Sequence, residues 1–115
     1  MHGVCHTEIP SKSVTESAAF YKAVFGWETT VMGEGEYAVF KMGDGREGGF
    51  DPSWEPAAAG VVLYIEVADI PASLALIKTH GGTVIKEKTE VGGPHGYYAL
   101  FLDPHDNRLG IWAQD

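Results

Sequence analysis

The order of structural signals in this chain occurs twice, and the spacing of the two occurrences constrains the fold more than any other feature. A helix opens at Ser13, where Ser13-Val14-Thr15-Glu16 has the capping-box form, and closes at Gly26. A second opens at Asp69, with Pro71 in its first turn, and closes at Gly81-Gly82. The N-caps Ser13 and Asp69 stand 56 residues apart, and the helix ends Gly26 and Gly81 stand 55 apart. Ala38-Val39-Phe40 and Ala99-Leu100-Phe101 are offset by 61, as are Gly49 and Gly110, the extra residues falling in a hairpin turn. Offsets this steady across a whole unit mark an internal repeat.

Each half reads as strand, helix and three strands. In the first, Val4 to Ile9 is a strand, and Val14, Ala18, Tyr21 and Phe25 form the apolar stripe of the helix. Trp27 to Met32, Tyr37 to Met42 and a short piece around Phe50 follow as strands. In the second, Val61 to Val67 is a strand, Leu74 and Ile77 face the core from the helix, and strands follow at Thr83–Val91, Tyr97–Leu102 and Leu109–Trp112. Pro52 to Gly60, rich in Pro and Ala, links units of about residues 1–51 and 61–115 within one domain spanning 1–115. The fold class is therefore α+β with two βαβββ repeats. A ferredoxin-like sandwich is the rival, and it leaves three strands after each helix unexplained.

Charge and composition close off several functions. Eight basic against sixteen acidic residues give a net charge of −8, a field that repels a phosphate backbone and argues against nucleic acid. The longest apolar runs, such as Val61-Val62-Leu63-Tyr64-Ile65, are strand-sized, far short of the ~20 residues of a membrane span. Met1-His2-Gly3-Val4 has neither the basic region nor the apolar core of a secretion signal. The single cysteine, Cys5, has no internal partner for a disulfide, and a reducing cytoplasm is expected.

Four strings resemble one family. Ala19-Phe20-Tyr21-Lys22-Ala23-Val24-Phe25-Gly26-Trp27 is similar to the first-helix signature of the vicinal oxygen chelate superfamily, the glyoxalase, bleomycin-resistance and extradiol-dioxygenase group. Val67-Ala68-Asp69-Ile70 resembles its fifth-strand exit, and Phe101-Leu102-Asp103-Pro104-His105-Asp106-Asn107 resembles the turn before its last strand. Gly110-Ile111-Trp112 matches the ending of a glyoxalase-related branch. The resemblance spans nearly the whole chain. It implies a curved mixed sheet around a cavity, with helices outside, and it implies a homodimer. Alternation then turns His6 and Glu8 toward the cavity and Cys5, Thr7 and Ile9 toward the helix, making Cys5 core filler. Likewise Val62, Tyr64 and Glu66 share the cavity face, while Val61, Leu63, Ile65 and Val67 form an apolar face for the helix.

The resemblance also implies a test for metal. In the superfamily's metalloenzymes, side chains on the first, fifth and eighth strands, and in some members the fourth, hold a divalent ion that chelates two substrate oxygens. The matching positions here are His6, Val62 and Gly110, with Gly49 as the first-half counterpart of Gly110. Valine and glycine side chains have no donor, so one ligand of three survives, and no metal and no other cofactor is expected. A non-standard site from His6, Glu8 and Tyr64 or Glu66 is the remaining route to an ion, although carboxylates beside a histidine more often pair with it.

What is left points to an organic ligand. Candidate ligand-binding residues are His6, Glu8, Tyr64, Glu66, His95, Tyr97 and Trp112. His6 is also the candidate acid/base, against the reading of a hydrogen-bonded histidine left over in the sheet. His95 and Tyr97 border a glycine-dense loop, Val91 to Tyr97, that in relatives lies at the cavity mouth, against the reading of a wide hairpin turn, which is the better account of His95. Trp112 offers an indole face to a flat ligand, with core packing or a subunit contact as the alternative. Asp103-Pro104-His105-Asp106-Asn107 reads as a turn in which Asn accepts the left-handed conformation. The expected function is a small-molecule-binding protein of the glyoxalase/bleomycin-resistance type without the usual metal ligands. The alternative is a lyase, isomerase or dioxygenase acting through a non-standard site around His6. Glycine at two ligand positions is expected to open the cavity.

Overall fold

The computed structural model of the chain describes residues 4–33, 36–56 and 58–115. Met1-His2-Gly3, on which the leader argument rests, lie outside the described residues, as does Ala57 of the linker. Two compact units, 1–56 and 57–115, divide the chain at that linker.

In the first unit the local signals act as their chemistry dictates. Ser13 takes an extended backbone (φ −144°, ψ 107°), and its hydroxyl accepts the Glu16 N–H at 3.2 Å, which starts α1 (Val14–Phe25). Gly26 ends it with φ +74°, a left-handed conformation that only glycine adopts freely. Four strands make one sheet in the order β1 (Thr7–Pro10), β4 (Glu47–Asp51), β3 (Tyr37–Lys41), β2 (Glu28–Met32), with β1 parallel to β4 and the other pairs antiparallel. One face of this sheet packs under α1. There Phe40 stacks on Trp27 and lies against Phe50, both at 4.7 Å between ring centroids, and Tyr21 stacks on Trp27 at 5.1 Å.

Three details differ from the reading of the sequence. The buried stripe of α1 is Val14, Ser17, Phe20 and Tyr21 rather than one running through Ala18 and Phe25, which are half-buried. Ser17 is tolerated there because its hydroxyl pairs with that of the equally buried Ser11 at 2.6 Å. The first strand starts at Thr7, since pairing with β4 begins at Thr7 opposite Gly48. Val4 and Cys5 are consequently exposed, and Cys5 is not core filler.

The second unit repeats the design. Asp69 caps α2 (Ile70–Thr79), its carboxylate accepting the Ala72 N–H at 2.9 Å, and His80 forms the C-cap before Gly81 (φ +98°). The sheet order is β5 (Tyr64–Glu66), β8 (Arg108–Ala113), β7 (Tyr97–Leu102), β6 (Thr83–Glu90). Equivalent pairs carry the same offsets. Glu8 opposite Gly49 becomes Tyr64 opposite Gly110, and Ala38 opposite Phe50 becomes Ala99 opposite Ile111. Ala99, Phe101, Leu109 and Ile111 are buried, as are Ile70, Leu74 and Ile77 of α2.

Here too there are corrections. The fifth strand is three residues long, and its apolar flank is not covered: Val61 is 91% exposed and Leu63 37%. The reason is that α2 packs on β6, β7 and β8 and does not reach β5. In the turn after β7, the left-handed residue is Asp106 (φ +67°) and not Asn107. Asn107 is buried instead, giving both its backbone and side-chain N–H groups to the Asp103 carboxylate at 3.0 and 2.9 Å.

Candidate functional site

The uncovered face of the first sheet is shaped by the absence of a side chain at position 49. Gly49 lies on β4 between Glu8 of β1 and Val39 of β3. A Cβ there would fall 1.9 Å from the Tyr37 hydroxyl oxygen. The phenol thus occupies the volume that a residue-49 side chain would need, and it reaches across β4 to β1.

A chain of hydrogen bonds results. Tyr37 donates its hydroxyl proton to Glu8 Oε2 at 3.2 Å, and His6 Nε2 lies 3.0 Å from the same hydroxyl. Glu8 Oε1 accepts the Trp54 indole N–H at 2.8 Å, while the His6 and Glu8 side chains stay about two-fifths and one-third exposed. Beside them, Asp51 accepts from the Ser53 hydroxyl and from the Ser53 backbone N–H, the latter at 2.8 Å. Those two bonds hold the Asp51 carboxyl below the usual carboxylate range, with a smaller push the same way from Glu8 and desolvation opposing.

Desolvation raises the Tyr37 pKa above 10.0, helped by the hydrogen bond to Glu8 and by the negative charges of Glu8 and Asp51. The sign follows directly. The folded state holds this proton more tightly than the unfolded chain, so the stabilisation is full below the ordinary tyrosine range and is lost as pH rises through the folded value. We expect the Tyr37 Cζ resonance in carbon NMR to titrate with its midpoint above 10, and Glu8→Gln to bring that midpoint down. A midpoint unmoved by Glu8→Gln would show that the carboxylate does not act on the phenol.

The second unit fills the equivalent volume differently. A Cβ at Gly110 would fall 2.4 Å from the Tyr64 ring, so the ring occupies the volume over that glycine. Tyr98 meets Tyr64 edge-on at 6.2 Å, and the Lys86 ammonium sits 5.5 Å over the Tyr98 ring. Tyr98 is opposite Trp112 and Leu100 is opposite Gly110, so Tyr98, Gly110, Trp112, Tyr64 and Glu66 share one face.

The candidate residues therefore separate. His6 and Glu8 meet through Tyr37. Tyr64, Glu66 and Trp112 share the uncovered face of the second sheet. Trp112 donates its indole N–H to the His95 carbonyl at 2.8 Å and packs so closely that a Cβ at Gly96 would lie 2.9 Å from its ring. The His95 side chain is exposed, and Gly92, Gly93 and Gly96 all have positive φ. Tyr97 points from the opposite face to Tyr98, with the Lys88 ammonium 4.6 Å over its ring. The expectation that glycine opens space is corrected: tyrosines fill both volumes.

Sequence reading missed Tyr37, Trp54, Asp51 and Tyr98. A signal existed for two of them, since Tyr37 and Tyr98 stand at the same offset of 61 as Gly49 and Gly110. Nothing in the linker composition pointed to Trp54.

His6, Val62 and Gly110, with Gly49, stand at the positions matching the superfamily's ion site. Val62, Gly49 and Gly110 carry no donor atom, the His6 Nε2 is engaged by Tyr37, and a side chain at 49 or 110 collides with a tyrosine.

Comparison with known proteins then decides the family. The model of the Glyoxalase/Bleomycin resistance protein/Dioxygenase superfamily matches residues 3–111. The chain belongs to this superfamily. A glyoxylase-like domain-containing protein of Didymella fabae is 30% identical over 120 aligned positions, covering 96% of this chain and 94% of that one. The anthracycline biosynthesis protein DnrV of Streptomyces peucetius is 29% identical over 126 aligned positions, covering 93% of this chain but 45% of DnrV, so the chain spans less than half of that relative. Among solved structures, a mutant of the fosfomycin resistance protein FosX from Listeria monocytogenes, complexed with Mn(II) and 1S,2S-dihydroxypropylphosphonic acid, superposes with a TM-score of 0.83. That likeness covers 100% of this chain and 92% of FosX at 14% identity, and it speaks for the fold.

Proposed function

We propose that this member of the glyoxalase superfamily binds a small organic molecule without the divalent ion of the superfamily's metalloenzymes. The observation that carries the reading is the pair of tyrosines standing where ion ligands would project, Tyr37 over Gly49 and Tyr64 over Gly110. Such a substitution exchanges a Lewis acid for aromatic surface with a few oriented polar groups, the usual lining of an organic-ligand site. Each unit carries such a face by itself: in the first, the Tyr37 phenol with His6 and Glu8, and in the second, Tyr64, Tyr98 and Trp112.

Thermal unfolding with a panel of small aromatic and hydroxylated compounds tests it. A ligand that binds the folded state alone at about 100 times its Kd adds about 2.7 kcal/mol, a rise of several degrees in Tm. Ni²⁺, Zn²⁺ and Mn²⁺ are expected to leave Tm unchanged. Stoichiometric metal in the untagged protein by elemental analysis would overturn the metal-free reading.

The His6–Tyr37–Glu8 chain favours a second reading, an enzyme of the superfamily in which His6 is the acid/base. It expects His6→Ala to abolish turnover with the fold intact. We also read the protein as a cytoplasmic homodimer. One cysteine supports the compartment, and the exposed apolar residues Val61 and Leu63 support the dimer. No helix among the described residues is long and apolar enough to cross a membrane. Sedimentation of the 12.4 kDa chain at twice its mass checks the dimer.

A further inference from the structure

We infer that Glu8 and Tyr37 lock His6 in one neutral tautomer, with the proton on Nε2, so that its Nδ1 lone pair is the group offered to a ligand. The inference rests on His6 being a ligand contact, as proposed above, and adds which atom makes the contact and what chemistry it selects.

The protons along the chain of three groups can be counted. A carboxylate only accepts, and both Glu8 oxygens are in use: Oε1 takes the Trp54 N–H at 2.8 Å and Oε2 takes the Tyr37 hydroxyl at 3.2 Å. A phenol has one proton. Having given it to Glu8, Tyr37 can only accept from His6 Nε2, 3.0 Å away. His6 must therefore carry hydrogen on Nε2, which in the neutral ring leaves Nδ1 as the acceptor. Trp54 is the anchor, since an indole N–H can only donate and so holds a Glu8 oxygen as acceptor. Gly49 is the permissive residue: any side chain there would displace the Tyr37 hydroxyl, so this chain of bonds and an ion ligand at position 49 exclude each other.

The consequence for recognition is specific. With Nε2 engaged by Tyr37, the Nδ1 lone pair of a side chain about two-fifths exposed is the acceptor left for a ligand, so it selects a ligand with a donor, a hydroxyl in particular. Tyr37 and Glu8 are positioning residues in this scheme.

Nitrogen-15 NMR of the ligand-free protein at a pH of about 8.5, above the ordinary histidine range, reads which His6 nitrogen carries hydrogen. Wild type is expected to show the Nε2–H form nearly alone. Glu8→Gln is expected to reverse it: the Trp54 N–H holds the amide oxygen, the NH₂ group then faces Tyr37, and Tyr37 must donate its proton to His6 Nε2. The Nδ1–H form should predominate in that variant. Tyr37→Phe, which keeps the ring, is expected to relax His6 to the mixture of free histidine and serves if Glu8→Gln does not fold. An Nδ1–H wild type, or a tautomer unchanged in both variants, would refute the inference. For the ligand class, phenol at millimolar concentration should move the wild-type Nδ1 resonance, and anisole, its twin without the proton, should not. An equal response to both, or none to phenol, would remove that class. These measurements need no turnover, so they can fail while a bound ligand still raises Tm.

Discussion

Phe40→Ala is expected to cost about 3–5 kcal/mol of folding stability, the usual toll of emptying a fully buried aromatic site. Phe40 has no exposed surface, and its ring is sandwiched at 4.7 Å from both Trp27 and Phe50. Truncation deletes both contacts and leaves a void between the Trp27 and Phe50 rings. Domains of this size commonly hold only about 5–15 kcal/mol in all, so the variant should lose much of its margin. The urea midpoint measures it. A loss below about 1 kcal/mol would mean that Trp27 and Phe50 collapse onto each other and that the stack is not the core of this unit.

Gly48→Ala is expected to cost about 2–4 kcal/mol and to disturb the site as well. A Cβ at position 48 would lie 2.3 Å from the Thr7 carbonyl oxygen and 2.4 Å from the Phe40 ring. The ring is packed and the carbonyl belongs to the backbone of β1, so relief requires β1 to move. That strand carries Glu8 and follows directly on His6, and both should be drawn away from Tyr37. Gly49→Ala is the informative contrast. Its collision is with the tip of Tyr37, which can swing clear, so the cost in stability should be much smaller while the hydrogen-bond chain still breaks. Urea denaturation with the His6 side-chain NMR signals separates the two. Equal stability losses for the two alanines would contradict the distinction between backbone and side-chain collisions.

The repeat and its caps were legible because they depend on neighbours in the chain. Ser13 and Asp69 act through an N–H three residues ahead, and Gly26 through its own φ. The glycine positions that match ion ligands were equally plain, since a missing donor is a property of the residue itself. Strand ends were less legible. Val4, Cys5, Val61 and Leu63 have strand composition, yet β1 and β5 begin only where β4 and β8 arrive to pair with them.

By itself the sequence determined that this is a duplicated βαβββ chain of the glyoxalase superfamily, with glycine at two ligand positions. Only the tertiary structure decided what occupies the volume those glycines leave, because Tyr37 meets Gly49, and Tyr64 meets Gly110, across paired strands whose side-chain directions spacing alone does not fix. The direction of the bonds from His6 to Glu8 is of the same kind. It depends on an indole supplied by the linker 46 residues away, and sequence spacing carries no information about a hydrogen bond closed over that distance.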